Sequence, residues 1–461
     1  MLFVRFLVGA TSVFFVFCST LSVFAQEKQD LSFPGYNLVV VSFDALQAAH
    51  VHCLGYPKET TPVIDDFATK GFLFTQAIAQ ASWTVPSHMS LFTSMYPSEH
   101  RVINKYSQYT EQMKVFSNLE KLSPGTATLA AILKKNGYVT GAFTGDAGVC
   151  AKFGFGKGFD SYLDSKKFAG FDYSVPPAIK WLEAHKDKKF MIFLHGYDVH
   201  GQHDPAQGYK KMFLDFDYKG PFKGGKEEQG HLREQGLKEG ILELTHQDVH
   251  FWRALYDEKI YDANQEFKVF VDELDKLGLM DKTIIVLMSD HGTEFYEHHR
   301  FDHGFSLYDE LIHIPLVIYL PHVKGGQVIK DQVREIDLMP TILDLLKISV
   351  KGKVKAQMKG QSLVPLLNRG HMELDAYSET DYRLYTHKRS IRTFDGWKFI
   401  YTLESDQKEL YNLNKDPEEQ HNLVQVEPIK AYELEQKLFQ WLKSMPRIEN
   451  DYTKESMIKE Y

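Results

Sequence analysis

The chain has 461 residues, of which 43% are hydrophobic and 13% aromatic, an ample supply of core for one large domain with a smaller one appended. Its formal net charge of -8 is mild and includes no basic block, which excludes nucleic acid as the main partner, so an anionic substrate has to be held by local groups. Three cysteines are too few for a disulfide framework.

Residues 1–25 carry Arg5 near the start, an apolar stretch from Phe6 to Phe17, and Val23-Phe24-Ala25 ahead of Gln26. That is the pattern of a signal peptide with a small-residue cleavage site, and it predicts an exported protein, periplasmic or secreted. The apolar run is shorter than the ~20 residues a spanning helix needs, and no later run is long enough, so no stable membrane span is expected. Cys53 and Cys150 remain after cleavage and are available to pair in an oxidising compartment.

From there short apolar runs alternate with amphipathic stretches, the rhythm of β-α-β units around a mostly parallel sheet. Strands are expected at Leu38 to Ser42, Val139 to Thr144, Phe190 to Leu194, Ile284 to Met288 and Leu316 to Leu320. Helices are expected at Thr126 to Lys135 and at Ala254 to Leu277, the second stopped by Gly278. The segment 201–249 is rich in Gly, Lys, Glu and His and poor in apolar runs, as an excursion over an active face would be. After Ile348 the pattern changes, and 349–445 reads as a small C-terminal sheet closed by a helix from Ala431 to Leu442, with 446–461 as a tail. The fold class is α/β, a sandwich around the sheet with a C-terminal α+β subdomain.

Asp44 follows Leu38-Val39-Val40-Val41, and Asp290 follows Ile284-Ile285-Val286-Leu287. Both carboxylates therefore emerge at the ends of buried parallel strands, where open α/β sheets place their ligands. Carboxylates converging there are a metal-site pattern, and the run Ser82 to Leu91 supplies hydroxyls to set against one divalent cation. Alone, an Asp after a strand is more often a turn or capping residue, and a Thr before Val-Pro an N-cap.

Joint motifs decide between these readings. Thr84-Val85-Pro86-Ser87-His88-Met89-Ser90-Leu91-Phe92-Thr93 resembles the sulfatase signature, in which a Cys or Ser nucleophile precedes a Pro, a Ser-Arg pair and a Ser-Leu-Leu-Thr-Gly tail. Asp44-Ala45-Leu46, Gly156-Lys157-Gly158-Phe159-Asp160, Asp198-Val199-His200, Ser289-Asp290-His291-Gly292, Asp337-Leu338-Met339-Pro340-Thr341 and Gly360-Gln361-Ser362-Leu363 look like further landmarks of that family. The resemblance implies an alkaline-phosphatase/sulfatase-like α/β/α sandwich with its catalytic domain over 36–348. It also implies an enzyme, a metal-dependent ester hydrolase.

Three departures qualify the resemblance. Thr84 stands where sulfatases carry the Cys or Ser that is oxidised to formylglycine, so formylglycine is not expected. The chain resembles at this position the phosphodiesterases and phosphotransferases of the wider alkaline phosphatase superfamily, which use an unmodified Thr. His88 stands where the signature has Arg, and an imidazole grips an oxyanion less firmly than a guanidinium. Ala45 stands where many sulfatases have a second metal-binding Asp.

The implied metal ligands are Asp44, Thr84, Asp290 and His291, around one Mn²⁺, Zn²⁺ or Ca²⁺ ion. The implied catalytic groups are Thr84 as nucleophile, His88 beside it, and His200 and His303 at the leaving and equatorial oxygens. The expected substrate is a small-molecule, glycan or lipid ester of phosphate, phosphonate or sulfate. A transferase passing a phospho-group to a lipid or glycan alcohol is the alternative, with a catalytically inactive binding protein as the third reading.

Overall fold

β1 (Asn37–Phe43) is buried at all seven positions, because it takes a central place in a nine-stranded sheet covered on both faces. The computed structural model describes residues 29–103, 121–146, 148–201, 212–214, 217–239, 242–382 and 386–445. Leu31–Tyr461 forms one unit; of the separate unit Met1–Asp30, only Gln29 and Asp30 are described. The expected signal segment 1–25, Lys210 and Lys211 of the excursion, and the tail 446–461 lie outside the described residues.

The other strands of the main sheet are β2 (Phe72–Ile78), β3 (Val139–Phe143), β4 (Ser161–Leu163), β5 (Phe190–Gly196) and β6 (Thr283–Met288). After a two-stranded ribbon of β7 (Glu294–Phe295) and β8 (Phe301–Asp302) come β9 (His313–Tyr319), β10 (Gln327–Ile329) and β11 (Val333–Arg334). The sheet order is β10-β2-β9-β6-β1-β5-β3-β4, with β11 added on β2. Only β9 runs against its neighbours β2 and β6, so the sheet is mostly parallel.

Alternate residues of β1 enter two cores. Leu38 and Val40 pack with Val85, Met89 and Phe92 of helix Thr84–Thr93 and with Leu338 and Ile342 of helix Leu338–Leu345. Val39, Val41 and Phe43 pack on the other face with Phe67 of helix Pro62–Lys70, Leu182 of helix Phe171–His185 and Phe267 of helix His246–Lys276. The result is the three-layered α/β arrangement expected from the rhythm of the sequence.

The long helix expected from Ala254 begins two turns earlier, at His246, because Thr245 and Asp248 form a capping box. The Thr245 hydroxyl oxygen accepts from Asp248 N–H at 3.2 Å, and the Asp248 carboxylate accepts from Thr245 N–H at 2.9 Å. The excursion likewise contains helix Lys226–Glu239, which its polarity had hidden. Cys53 and Cys150 are free thiols, so the pairing open to them in the sequence does not occur in this structure.

The C-terminal part is an antiparallel sheet of β12 (Ala376–Tyr382), β13 (Thr386–Arg392), β14 (Trp397–Thr402) and β15 (Gln407–Asn412). Ile391, Phe399 and Leu410 of its face pack on Leu434 and Leu438 of helix Pro428–Ser444. Its hold on the rest of the chain includes a buried ion-pair group: Lys398 Nζ lies 2.8 Å from Asp309 and 2.9 Å from Glu419, and Arg392 lies 3.0 Å from Asp309. No helix among the described residues is long and apolar enough to cross a membrane.

Candidate active site

Parallel register builds the site. Ser42 of β1 lies opposite His195 of β5 on one side and Met288 of β6 on the other, so Asp44 and Asp290, each two residues further on, leave the sheet at one level. Asp44, Asp290 and His291 are fully buried, and their ligand atoms lie within 4.8 Å of one another. His291 Nε2 is 3.6 Å from Asp44 Oδ1, 3.3 Å from Asp290 Oδ2 and 3.2 Å from the Thr84 hydroxyl.

Hydrogen bonds behind these atoms fix which lone pairs face inward. His291 Nδ1–H donates to the Gly292 carbonyl at 2.7 Å, leaving Nε2 as the acceptor nitrogen. Asp290 Oδ1 accepts from Ala45 N–H at 3.2 Å, while its buried Oδ2 accepts no hydrogen bond among the described residues. Asp44 Oδ2 accepts from His195 Nε2 at 3.0 Å. Buried carboxylate oxygens turned toward an imidazole lone pair and a hydroxyl form a donor set that fits a divalent cation. Ala45 takes part through its backbone: it adopts φ 61°, and its carbonyl accepts from the Tyr256 hydroxyl at 2.6 Å. Gly292 has to be glycine here, since a Cβ would lie 2.0 Å from the Glu310 carbonyl oxygen.

Thr84 opens helix Thr84–Thr93, so its hydroxyl sits at the positive end of the helix dipole. His88, one turn on, is fully buried behind it. Its Nδ1 is 3.0 Å from the Thr84 carbonyl and 3.3 Å from Asp290 Oδ2, and its Nε2 is 2.9 Å from the Ser42 hydroxyl. Burial pushes its pKa down to about 4, so the ring is neutral and ties helix Thr84–Thr93 to β1 and Asp290.

His200, from the loop after β5, and His303, just after β8, meet at 2.7 Å between their Nε2 atoms. The His303 ring centroid is 4.3 Å from that of His291, which places the pair beside the Asp44, Asp290 and His291 set. Burial holds the His200 pKa well below the usual histidine value. The structure thus gathers Asp44, Thr84, Asp290, His291, His88, His200 and His303 into one region.

His195 is a neighbour of Asp44 that none of the sequence motifs singles out. Its one available signal was its place at the end of the apolar run Phe190 to Leu194. His298 pairs with Glu310 at 2.7 Å, and His203 lies outside the described residues. Asp198 is engaged elsewhere: its Oδ2 accepts from Phe171 N–H at 2.8 Å and caps helix Phe171–His185.

Known proteins resemble this chain in sequence and in fold. A family model described as Sulfatase matches residues 36–348, and one described as N-sulphoglucosamine sulphohydrolase, C-terminal, matches 296–447. Arylsulfatase K of Xenopus laevis is 28% identical over 210 residues, which cover 42% of this chain and 38% of that protein. The chain thus spans about two fifths of the arylsulfatase K proteins it matches in Xenopus laevis, Mus musculus and Homo sapiens. Delta 4,5-hexuronate-2-O-sulfatase of Bacteroides thetaiotaomicron is 24% identical over 87% of this chain and 85% of its own length. Among solved structures, phosphonate monoester hydrolase of Agrobacterium radiobacter superposes with a TM-score of 0.70 at 18% identity, over 89% of this chain and 96% of that one.

Proposed function

The chain belongs to the sulfatase family of ester hydrolases, and within that family we propose that it is an exported enzyme cleaving phosphorus esters with Thr84 as nucleophile. The observation that carries this reading is the Thr84 hydroxyl, 3.2 Å from His291 Nε2 at the rim of the buried Asp44, Asp290 and His291 set. Asp44, Asp290, His291 and the Thr84 oxygen would hold one divalent cation. When bound, the cation supplies Lewis-acid charge that makes the Thr84 hydroxyl easier to deprotonate.

The residue type argues for phosphorus over sulfur. The Cβ of threonine bears a methyl group, so its oxidation would give a ketone and no formyl group. Without an aldehyde hydrate, a sulfated side chain would have to be released by attack of water on sulfur, whereas a phosphorylated threonine is released by ordinary in-line attack at phosphorus. In the first step the Thr84 oxygen bonds to phosphorus as the bond to the ester oxygen breaks, and that oxygen leaves as an alcohol after taking up a proton. Water then attacks phosphorus, releasing the acid and returning a hydroxyl to Thr84. His200 and His303 serve the leaving oxygen. His88, neutral and buried, is a positioning residue for Thr84 and Asp290. The esterified body is a small molecule or a glycan.

The test is hydrolysis of three aryl substrates, a phosphate diester, a phosphate monoester and a sulfate ester, by metal-reconstituted wild type and Thr84→Ala. The reading expects turnover of a phosphorus ester that Thr84→Ala abolishes while Thr84→Ser retains part of it. Sulfate-selective turnover, or phosphorus-ester turnover that survives in Thr84→Ala, would overturn it.

A further inference from the structure

We infer that the cleft between the loop after β1 and the C-terminal sheet is a binding site for a short neutral oligosaccharide, separate from the catalytic centre. The inference is independent of whether that centre cleaves phosphorus or sulfur esters. The cleft has a volume of about 840 Å³, within the range of about 300–1,000 Å³ typical of ligand pockets. Gln47 and His50 line it from the loop after β1, Arg253 from helix His246–Lys276, and Phe394 from the turn between β13 and β14. No residue of the set gathered around Asp44, Asp290 and His291 lines it.

The charges on the wall cancel in place. Arg253 lies 2.8 Å from Glu297 and Arg392 lies 3.0 Å from Asp309, while Glu310 pairs with His298 at 2.7 Å. Burial pushes the His313 pKa down, so that ring adds no charge near neutral pH. Lys330 and Glu418, one of each sign, are lining charges without an ion-pair partner among the described residues. A polyanion or a polycation meets repulsion as well as attraction on such a wall, whereas an uncharged ligand rich in hydroxyls meets no repulsion.

The buried polar atoms of the wall call for groups that both donate and accept. His50 is 4% exposed, and its Nδ1–H donates to Asp257 Oδ1 at 2.7 Å, which fixes the ring and leaves Nε2 for the cleft. Nε2 accepts in the neutral ring and donates in the charged one, and a hydroxyl matches either. Gln47 is 2% exposed, and its Nε2 and the Arg253 guanidinium both approach Glu297 Oε1, at 3.5 Å and 2.8 Å. Gln47 Oε1 and Arg253 Nε are buried with no hydrogen-bond partner among the described residues. An acceptor and a donor left over on one patch of wall are unfavourable until a group that does both reaches them, as a hydroxyl does.

An aromatic ring at the rim is a second, independent observation. Phe394 is 46% exposed on a turn that several bonds hold. Thr393 N–H donates to the Trp397 carbonyl at 2.8 Å, Gly396 N–H to the Thr393 carbonyl at 3.1 Å, and Phe394 N–H to Asp375 Oδ1 at 3.2 Å. A large apolar ring presented to solvent on a fixed turn has little backbone freedom to lose when a ligand lies on it. The flat face of a sugar ring carries C–H groups and its edge carries hydroxyls. Stacked on the negative face of Phe394, such a ring directs its hydroxyls toward the polar wall.

The experiment reads binding and does not depend on turnover. Cellotriose, chitotriose and maltotriose are each titrated into the full-length protein by isothermal calorimetry, with a heparin-derived tetrasaccharide as the polyanionic comparator. The inference expects at least one neutral probe to bind, and Phe394→Ala and His50→Asn each to weaken it about tenfold, the loss of one stacking or hydrogen-bonding contact. Asn keeps the bond to Asp257 while removing Nε2, and circular dichroism with the melting temperature confirms that both variants fold. Thr84→Ala should bind as wild type does. The inference is overturned if no neutral probe binds, if the heparin fragment binds more tightly than every neutral one, or if affinity is undiminished in both folded variants. Binding lost in Thr84→Ala also overturns it, because the sugar then sits at the catalytic centre. Phosphoester turnover is measured apart, so the cleft and the functional reading stand or fall separately.

Discussion

Replacing His195 tests whether the site is built to hold a cation through Asp44. The His195 ring is fully buried, stacked at 15° on Phe193 and 5.2 Å from His88. Burial pushes its pKa down to about 4, so near neutral pH it carries a single proton. Gly145 N–H approaches Nδ1 at 3.4 Å, which leaves that proton on Nε2, donated to Asp44 Oδ2 at 3.0 Å. Hydrogen bonds that orient metal ligands in this way are typically worth about 10–100-fold in metal affinity, or roughly 1.4–2.7 kcal/mol.

His195→Ala is therefore expected to weaken Zn²⁺ or Mn²⁺ binding by about 10–100-fold. His195→Gln, whose amide nitrogen reaches the place of Nε2, should recover most of that loss. The assay is a chelator-competition titration of metal affinity, run with phosphoester turnover at saturating metal. The reasoning expects kcat to recover as metal is raised, because the substituted ring touches neither substrate nor the reacting atoms. An unchanged metal affinity with a kcat that stays low at saturating metal would refute it and place His195 in the chemistry itself.

Two further outcomes concern stability. Lys398 is fully buried and pairs with Asp309 and Glu419, so Lys398→Met should leave Glu419 short of a countercharge and destabilise the fold by about 3–5 kcal/mol in urea unfolding; a change under about 1 kcal/mol would contradict this. At Glu294, burial and then the Glu310 charge raise the pKa to about 8. Burial opposes the charge on His298, but its bond to Glu310 outweighs that and raises its pKa to about 9. Both groups hold protons more tightly folded than unfolded, so their contribution is full below about pH 4.5 and is lost as pH rises through about 8 and 9. Denaturant midpoints measured from pH 6 to pH 9.5 should fall more steeply in wild type than in a His298→Gln, Glu294→Gln double variant, and parallel curves would count against it.

The sequence by itself determined the strands and the level at which the acids leave them. The apolar runs before Asp44 and Asp290 have one stable place, a doubly covered parallel sheet, and parallel strands put their following residues at the same end. With the Thr84 run, that is enough to predict four metal ligands from spacing and resemblance. The α/β class followed from the same periodicity, which depends on neighbours a few residues apart.

What only the tertiary structure decided depends on groups far apart in the chain. The neutral state of His88 follows from complete burial between Ser42, Thr84 and Asp290. His195 acts on Asp44 because β5 lies beside β1, a pairing across about 150 residues that no local pattern encodes. The meeting of His200 with Asp302 and His303 spans about 100 residues and relies on a ribbon of two-residue strands, too short to carry a periodic signal. Capping likewise overrode periodicity at Thr245, where hydrogen bonds to two polar side chains set the start of a helix whose apolar stripe begins later. Local patterning fixes elements and the ends from which ligands emerge, while protonation states and contacts between loops are settled by burial and by the company each side chain keeps after folding.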